Sequence, residues 1–267
     1  MEGPYGEGRL EVGMKRRLVK STMRTFEVLE LFAEERRPLR LQEVYNALQY
    51  PQSSAVNLLK SMVLMGYLNY NRTTREYFPT PMVSNLGSWI SGYLHAGGAY
   101  RRLAELVQKE TDETVAIAAQ NDLFVQYHIL LTPSHEFQLA PPPGTMRMMV
   151  DSSSGLAMMA KMPDQDIDRL CRYTSYYELK QGSSVSFHEV KQRVDWVRHA
   201  GYSFVTNSPV DEVSSISMPL GTDPHGVLQA IGVGGLAERI SRNAHNIVSI
   251  MRDAIVEFDE GNLTQPN

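Results

Sequence analysis

The chain has 267 residues, 42% hydrophobic and 21% charged, which is ordinary globular usage: it excludes whole-chain disorder and collagen-like structure and suffices for one large domain or two small ones. The net charge of -4, from 26 Lys and Arg against 30 Asp and Glu, gives no hint of a nucleic-acid partner. The average conceals a split, because residues 1–80 carry 12 basic and 9 acidic side chains (+3) and the rest carry 14 and 21 (-7), as expected for a module that meets a polyanion followed by one that does not.

Residues 1–17 are Gly- and charge-rich without periodicity and read as a flexible tail ending in Lys15, Arg16 and Arg17. From Ser21, Met23, Phe26, Leu29, Phe32 and Ala33 recur at helical spacing, and Pro38 ends the segment. A short second helix starts at Leu41, with Val44, Tyr45 and Leu48 on its apolar face, and stops before Pro51. A third begins near Gln52 and turns Ala55, Leu58, Leu59, Met62 and Val63 inward. Residues 67–70 and 76–78 read as two short strands around a polar turn that carries Arg72 and Arg75. Three short helices and a hairpin make a winged helix-turn-helix over residues 18–80.

The outward face of the third helix decides whether it could enter DNA. It holds Gln52, Ser53, Ser54, Asn57, Lys60 and Ser61, short or amide side chains able to bond base edges and phosphates, and no acid to repel a phosphate backbone. The alternative is an ordinary solvated helix face. Residues 81–98 form a linker helix with Met82, Leu86, Trp89 or Ile90, and Tyr93 in one stripe; a second copy of the chain or its own second domain could cover it.

Beyond it, a helix with Leu103, Leu106 and Val107 precedes strands at 114–119 and 123–130, with a third at 136–140. Pro141 to Gly144 break the chain before Met146, Met148 and Met149. Helices follow near 152–162, 164–173 and 187–199, strands near 202–206, 213–220 and 226–233, and a closing helix near 236–258. Antiparallel strands with helices before, between and after them predict an α+β domain over 99–259, followed by a tail at 260–267.

The sequence carries no local catalytic or metal motif. Ser152-Ser153-Ser154-Gly155 lacks the leading glycine of a nucleophile elbow. The seven histidines never lie two to five residues from another His or Cys, so no local metal motif exists. Gly232-Val233-Gly234-Gly235 leaves too little chain for a dinucleotide-binding unit, and Asp164, Asp166 and Asp168 better cap a helix than hold calcium. The single Cys171 excludes an intrachain disulfide and a Cys-based zinc site. With no long apolar stretch and no leader-like start, the expectation is a cytoplasmic protein without membrane contact, catalysis, metal or cofactor.

The order of these segments resembles the isocitrate lyase regulator (IclR) family of transcription regulators across residues 19–258. Residues 19–32 resemble its opening helix, Pro38 to Val44 its second-helix entry, Pro51 to Leu59 its recognition helix and Gly66-Tyr67-Leu68 the entry of its wing; Gly144 through Gly155, Gly201-Tyr202, Ile216 to Pro219 and Ala230 to Gly235 follow in the family's order. The resemblance implies a winged helix-turn-helix, a dimerising linker helix and a GAF-like α/β effector-binding domain. It also implies homodimers or homotetramers on a pseudo-palindromic double-stranded DNA operator, with a small organic effector modulating binding.

The DNA-facing set it implies is Lys20, Arg24, Arg40, Gln52, Ser53, Ser54, Asn57, Lys60, Ser61, Arg72 and Arg75. Asn57 stands where the family usually has a basic residue, which shifts the expected base preference from guanine toward adenine. Positions matching the family's oxo-acid site are Ser153 and Ser154 before Gly155, then Val205, Ser215, Gly232 and Gly234, so a side-chain acid and two hydroxyls are lost and two glycines open volume. With Phe124, Tyr127, Met146, Met148 and Met149 nearby, the expected ligand is larger and more apolar, such as an aromatic acid. Rival readings are a collapsed, methionine-filled, ligand-free oligomerisation module, or an enzyme that binds or hydrolyses a small molecule.

Overall fold

The computed structural model describes residues 19–94, 98–134, 144–177, 184–207, 211–223 and 225–259, without the side chains of 89–94. The expected tails and the strand expected at 136–140 lie outside these residues. The chain divides into two compact units at Tyr93/Leu94.

The first unit runs α1 (Lys20–Glu35), β1 (Leu39–Arg40), α2 (Leu41–Ala47), α3 (Gln52–Leu64), β2 (Leu68–Asn71), β3 (Glu76–Pro79) and α4 (Pro81–Leu94). Its antiparallel sheet has the order β1-β3-β2, with Leu39 opposite Tyr77 and Leu68 opposite Pro79. One core joins Val28, Leu31 and Phe32 of α1 to Val44, Leu48, Leu59, Met62, Leu68 and Tyr77. The strand pair β1-β3 was not visible in the sequence, because two residues are too few to carry a period.

The apolar face expected on α1 is corrected. Only Phe32 of the expected set is buried; Met23 is 37% and Phe26 60% exposed, and the core-facing residues are Glu27, Val28, Leu31 and Phe32. The misleading residue is Glu27, whose carboxylate accepts a hydrogen bond from the Tyr50 hydroxyl, so a charged residue sits where the apolar period required a hydrophobe. Burial raises its carboxyl above the ordinary glutamate range, and the neighbouring Glu30 adds to this.

The second unit runs α5 (Ala99–Thr111), β4 (Thr114–Asn121), β5 (Phe124–Leu131), β6 (Met146–Met148), α6 (Ser153–Met159), α7 (Asp164–Tyr176), α8 (Phe187–Ala200), β7 (Ser203–Thr206), β8 (Val213–Thr222), β9 (Leu228–Leu236) and α9 (Ala237–Asp259). All strand pairs are antiparallel, in the order β6-β5-β4-β9-β8-β7. Alternation along each strand sends side chains to two layers. On one face Val115, Ile117, Ile216, Ile231 and Val233 pack with Leu103 and Val107 of α5 and with Ile240, Ile247 and Met251 of α9. On the other, Ala118, Phe124, Val205 and Ala230 pack with α6, α7 and α8 through Leu156, Met158, Ile167, Val194 and Val197.

Every residue of α6 is buried, and the short helix is pinned from both sides. Ser152 caps it by accepting from the Gly155 amide at 3.0 Å. On its far side Arg198 of α8 donates to the carbonyls of Met162 at 2.6 Å and Ala160 at 3.2 Å and bridges Asp164 at 2.8 Å and Asp195 at 3.1 Å. Arg198→Ala is expected to cost about 1–2 kcal/mol, discounted for partial solvent exposure, in chemical denaturation of the full chain. Arg198→Lys should recover only part of it, since an ammonium cannot reproduce the planar fork. A loss below about 0.3 kcal/mol would show that the network does not hold the α6–α7 turn.

Candidate functional site

In the first unit the candidate site is the outer face of α3 with the wing. Ala55, Leu59 and Met62 anchor the helix to the core, leaving Gln52, Ser53, Asn57, Lys60 and Ser61 exposed; Ser54 is half-buried at the border. Ser61 Oγ donates to the Asn57 carbonyl at 2.8 Å, and the Asn57 side chain makes no hydrogen bond among the described residues. The wing turn is preorganised. Asn71 Oδ1 accepts from the amides of Thr73 at 2.9 Å and Thr74 at 3.3 Å, and Arg75 adopts a left-handed φ of 60°, its amide bonded to the Asn71 carbonyl at 2.8 Å. Arg72 and Arg75 are both exposed.

The remaining basic residues have local duties as well. Arg24 lies with its guanidinium carbon 4.7 Å from the Tyr50 ring centroid, a cation–π contact at the entry to α3. Arg40 is exposed, with Nε 3.7 Å from Glu76, and its amide donates to Glu43 at 2.8 Å. That amide, with the Arg37 guanidinium, holds the Glu43 carboxyl below the usual range. Lys20 is exposed at the start of α1.

In the second unit, pairing aligns the expected effector positions in two rows on the sheet face that carries α6. One row is Val205, Ser215, Gly234 and Thr114, and the next is Ser203, Ser217, Gly232 and Ala116, two residues along each strand and therefore on the same face. The second row is buried, and its serines bond to α6. Ser153 Oγ lies 2.9 Å from Ser203 Oγ and donates to Ser217 Oγ at 2.8 Å, Ser154 Oγ lies 3.1 Å from Ser217 Oγ, and Ser203 Oγ also reaches the Ser153 carbonyl at 2.7 Å. In the first row Ser215 and Gly234 are half-buried.

This corrects the volume expected at Gly232. A methyl group there would lie 2.7 Å from Ser217 Oγ and 3.3 Å from Ser154 Oγ, so the space is already occupied by hydroxyls; at Gly234 the nearest atoms are 3.7 and 3.8 Å away, ordinary contact. Ser203 and Ser217 were missed by sequence reasoning, although each stands two residues from an expected position, the period that places strand residues on one face.

The aromatic and methionine positions belong to the same layer but not the same spot. Phe124 pairs with Met148 and Gln126 with Met146, and Phe124, Tyr127, Met146 and Met148 pack in the α6-side cluster. With β4 and β9 between β5 and β8, the register sets Tyr127 across three strand spacings, about 14 Å, from Pro219, and Ser215 lies four residues further along β8. The floor between is small: Ala116, Ala118, Ala230 and Gly232. Burial pushes the Tyr127 phenol up to about 12, so it stays a neutral donor. Burial likewise raises the Cys171 thiol to about 11, which leaves little thiolate.

Among the described residues there is no group of three or more His, Cys, Asp or Glu side chains placed to hold a metal, and no helix long and apolar enough to cross a membrane. A winged helix-turn-helix with an acid-free outer face, joined in one chain to a six-stranded α/β sensor-type domain, defines a DNA-binding regulator. The chain belongs to the IclR family: it matches the IclR helix-turn-helix domain over residues 21–72 and the bacterial transcriptional regulator IclR C-terminal domain over residues 98–259. It is accordingly a transcription regulator with an N-terminal DNA-binding domain and a C-terminal effector domain.

Solved structures agree on the fold. The chain is similar to the Thermotoga maritima IclR, with a TM-score of 0.68 at 13% identity over 92% of this chain and 99% of that one. It is similar to an IclR homolog from Microbacterium hydrocarbonoxydans complexed with 4-hydroxybenzoate, with a TM-score of 0.65 at 19% identity over 89% and 97%. The effector domain of a transcriptional regulator from Acinetobacter sp. ADP1 matches at 25% identity and a TM-score of 0.57 over 62% of this chain and 96% of that one. Among curated proteins no sequence match is found.

Proposed function

We propose that this regulator binds a pseudo-palindromic operator as a dimer or dimer of dimers, with α3 in the major groove, and that a small aromatic acid or related aromatic compound modulates binding. The observation that carries the DNA reading is the α3 face: Gln52, Ser53, Asn57, Lys60 and Ser61 are exposed on a helix without a single acid, and two arginines are exposed on the wing. Such side chains read base edges and meet phosphates, and a modest positive charge needs two DNA-binding units acting together. Met82 and Leu86, one turn apart on α4 and 47% and 56% exposed, offer apolar surface for pairing two copies. Two half-sites then lie one helical turn apart, roughly 34 Å, or a multiple of it.

An electrophoretic mobility shift on genomic fragments tests this, and some fragment is expected to be retained with a steep salt dependence. Arg72→Ala should weaken every duplex alike and lower the salt slope by about one per protomer. Retention of no fragment at low salt would refute the DNA reading.

The aromatic-effector reading rests on chemistry lost and gained. Val205 puts an apolar side chain at the edge of the half-buried Ser215–Gly234 row, and Phe124, Tyr127, Met146 and Met148 line the other end of the same layer. The family member from Microbacterium hydrocarbonoxydans holds 4-hydroxybenzoate, a compound of this class. Thermal shift against aromatic and aliphatic acids should select an aromatic one. A ligand at 100 times its dissociation constant stabilises by about 2.7 kcal/mol. No stabilisation by any member of the panel would favour an effector domain that serves oligomerisation alone.

A further inference from the structure

We propose that the cleft between α8 and the free edge of β7 is a second ligand site, on the outer side of the layer under α6 with which it shares Leu156, Val197 and Ser203, that takes a single-ring planar carboxylate. The cleft encloses about 370 Å³ and is lined by Leu156, Gln192, Arg193, Trp196, Val197, Ser203 and Phe204. That volume lies near the lower end of small-molecule pockets, which limits the occupant to about one ring with a polar substituent.

The lining has the two halves such a molecule needs. Gln192, Arg193, Trp196 and Val197 fall at positions i, i+1, i+4 and i+5 of α8, so they share one side of the helix. Leu156 and Val197 are buried and make an apolar floor. Trp196 is 48% exposed and is held edge-on to Tyr202, with ring centroids 5.2 Å apart, which leaves an indole surface for a flat ring.

Arg193 supplies the anion-binding end. One Nη donates to the Val150 carbonyl at 3.1 Å, which fixes the guanidinium, and among the described residues it makes no ion pair. Four of the five N–H groups of its fork are therefore left for an anion once the Val150 carbonyl has taken one. The neighbouring cations Lys191 and Arg198 are by contrast already paired with Asp164 and Asp195. β7 is the last strand of the sheet and pairs only with β8, so alternate backbone amides and carbonyls of its outer edge face this side as well.

The full-length chain carrying 5-fluorotryptophan tests the site, with benzoate as the probe. The sequence has two tryptophans, so two fluorine resonances are expected, and Trp196→Phe identifies one of them by its loss. Benzoate should move the Trp196 resonance saturably, and Arg193→Gln should weaken the apparent affinity about tenfold, equal to about 1.4 kcal/mol. Toluene, which lacks the carboxylate, should give no saturable shift that depends on Arg193. A Trp196 resonance unmoved by benzoate would overturn the proposal, as would a shift with the same concentration dependence in Arg193→Gln. Thermal stabilisation by an aromatic acid with Trp196 unmoved would leave the effector reading standing while this one fell.

Discussion

Gly155→Ala is expected to destabilise the effector domain by at least about 3 kcal/mol, the upper end of the range for overpacking a core. A Cβ at this position would lie 2.1 Å from the Met149 carbonyl oxygen and 2.6 Å from its Cα, and the obstacle is backbone, so no side-chain rotation can relieve it. The α6 terminus would have to lift, and with it the Ser153 and Ser154 hydroxyls that bond Ser203 and Ser217. For a domain of this size the melting temperature should fall on the order of 10 °C in calorimetry of the full chain. Two neighbours calibrate the effect. Gly232→Ala meets serine hydroxyls at 2.7 and 3.3 Å, which can turn away at the expense of their bonds, so a loss of about 1–2 kcal/mol is expected; Gly234→Ala meets nothing closer than 3.7 Å and should be close to neutral. If Gly155→Ala melted with Gly234→Ala, α6 would not sit against Met149 as described.

On the DNA side, Lys60→Glu is expected to reduce affinity for every duplex at least a hundredfold. Lys60 is exposed on α3 and carries no ion pair among the described residues, so its replacement costs the fold little, within about 0.5 kcal/mol. On DNA it removes one phosphate-neutralising charge and installs a repulsive one, and the proposed two-fold symmetric complex suffers the change twice. Asn57→Ala should behave differently. Its amide makes no hydrogen bond among the described residues and is able to pair bidentately with adenine, worth about 1–3 kcal/mol of discrimination per half-site. Specific binding should fall while random-sequence binding and the salt slope stay unchanged. Binding isotherms on operator and random duplex at two salt concentrations separate the two variants. Equal loss on both duplexes for Asn57→Ala would remove α3 from the recognition role.

The two variants also mark how unevenly the molecule was legible in its sequence. The α3 face could be read because its core stripe, Ala55, Leu59 and Met62, is uninterrupted, so the opposite residues follow from 3.6 residues per turn. On α1 the same rule failed at Glu27, because a partner from elsewhere, Tyr50, let a carboxylate occupy a core position. The strands of the effector domain were recognisable from alternation and turn residues, whereas β6, three residues flanked by Gly144 and Thr145 on one side and Met149 on the other, had too few positions to alternate.

The amino-acid order by itself determined the division into a basic winged helix-turn-helix and an acidic α+β domain, the exposed face of α3, and the family. These depend on periodicity, helix breakers and local charge, which are properties of neighbours along the chain. Only the tertiary structure decided what the effector positions do together. Strand register brought Val205, Ser215 and Gly234 into one row and Ser203, Ser217 and Gly232 into the next, and it set Tyr127 three strands and Met146 and Met148 four strands from β8 across a floor of small residues. It also filled the space beside Gly232 with the hydroxyls of Ser217 on β8 and Ser154 on α6 and opened a cleft at β7. Contacts between residues fifty or more positions apart leave no local pattern, since they arise from the pairing of whole strands and the packing of helices upon them.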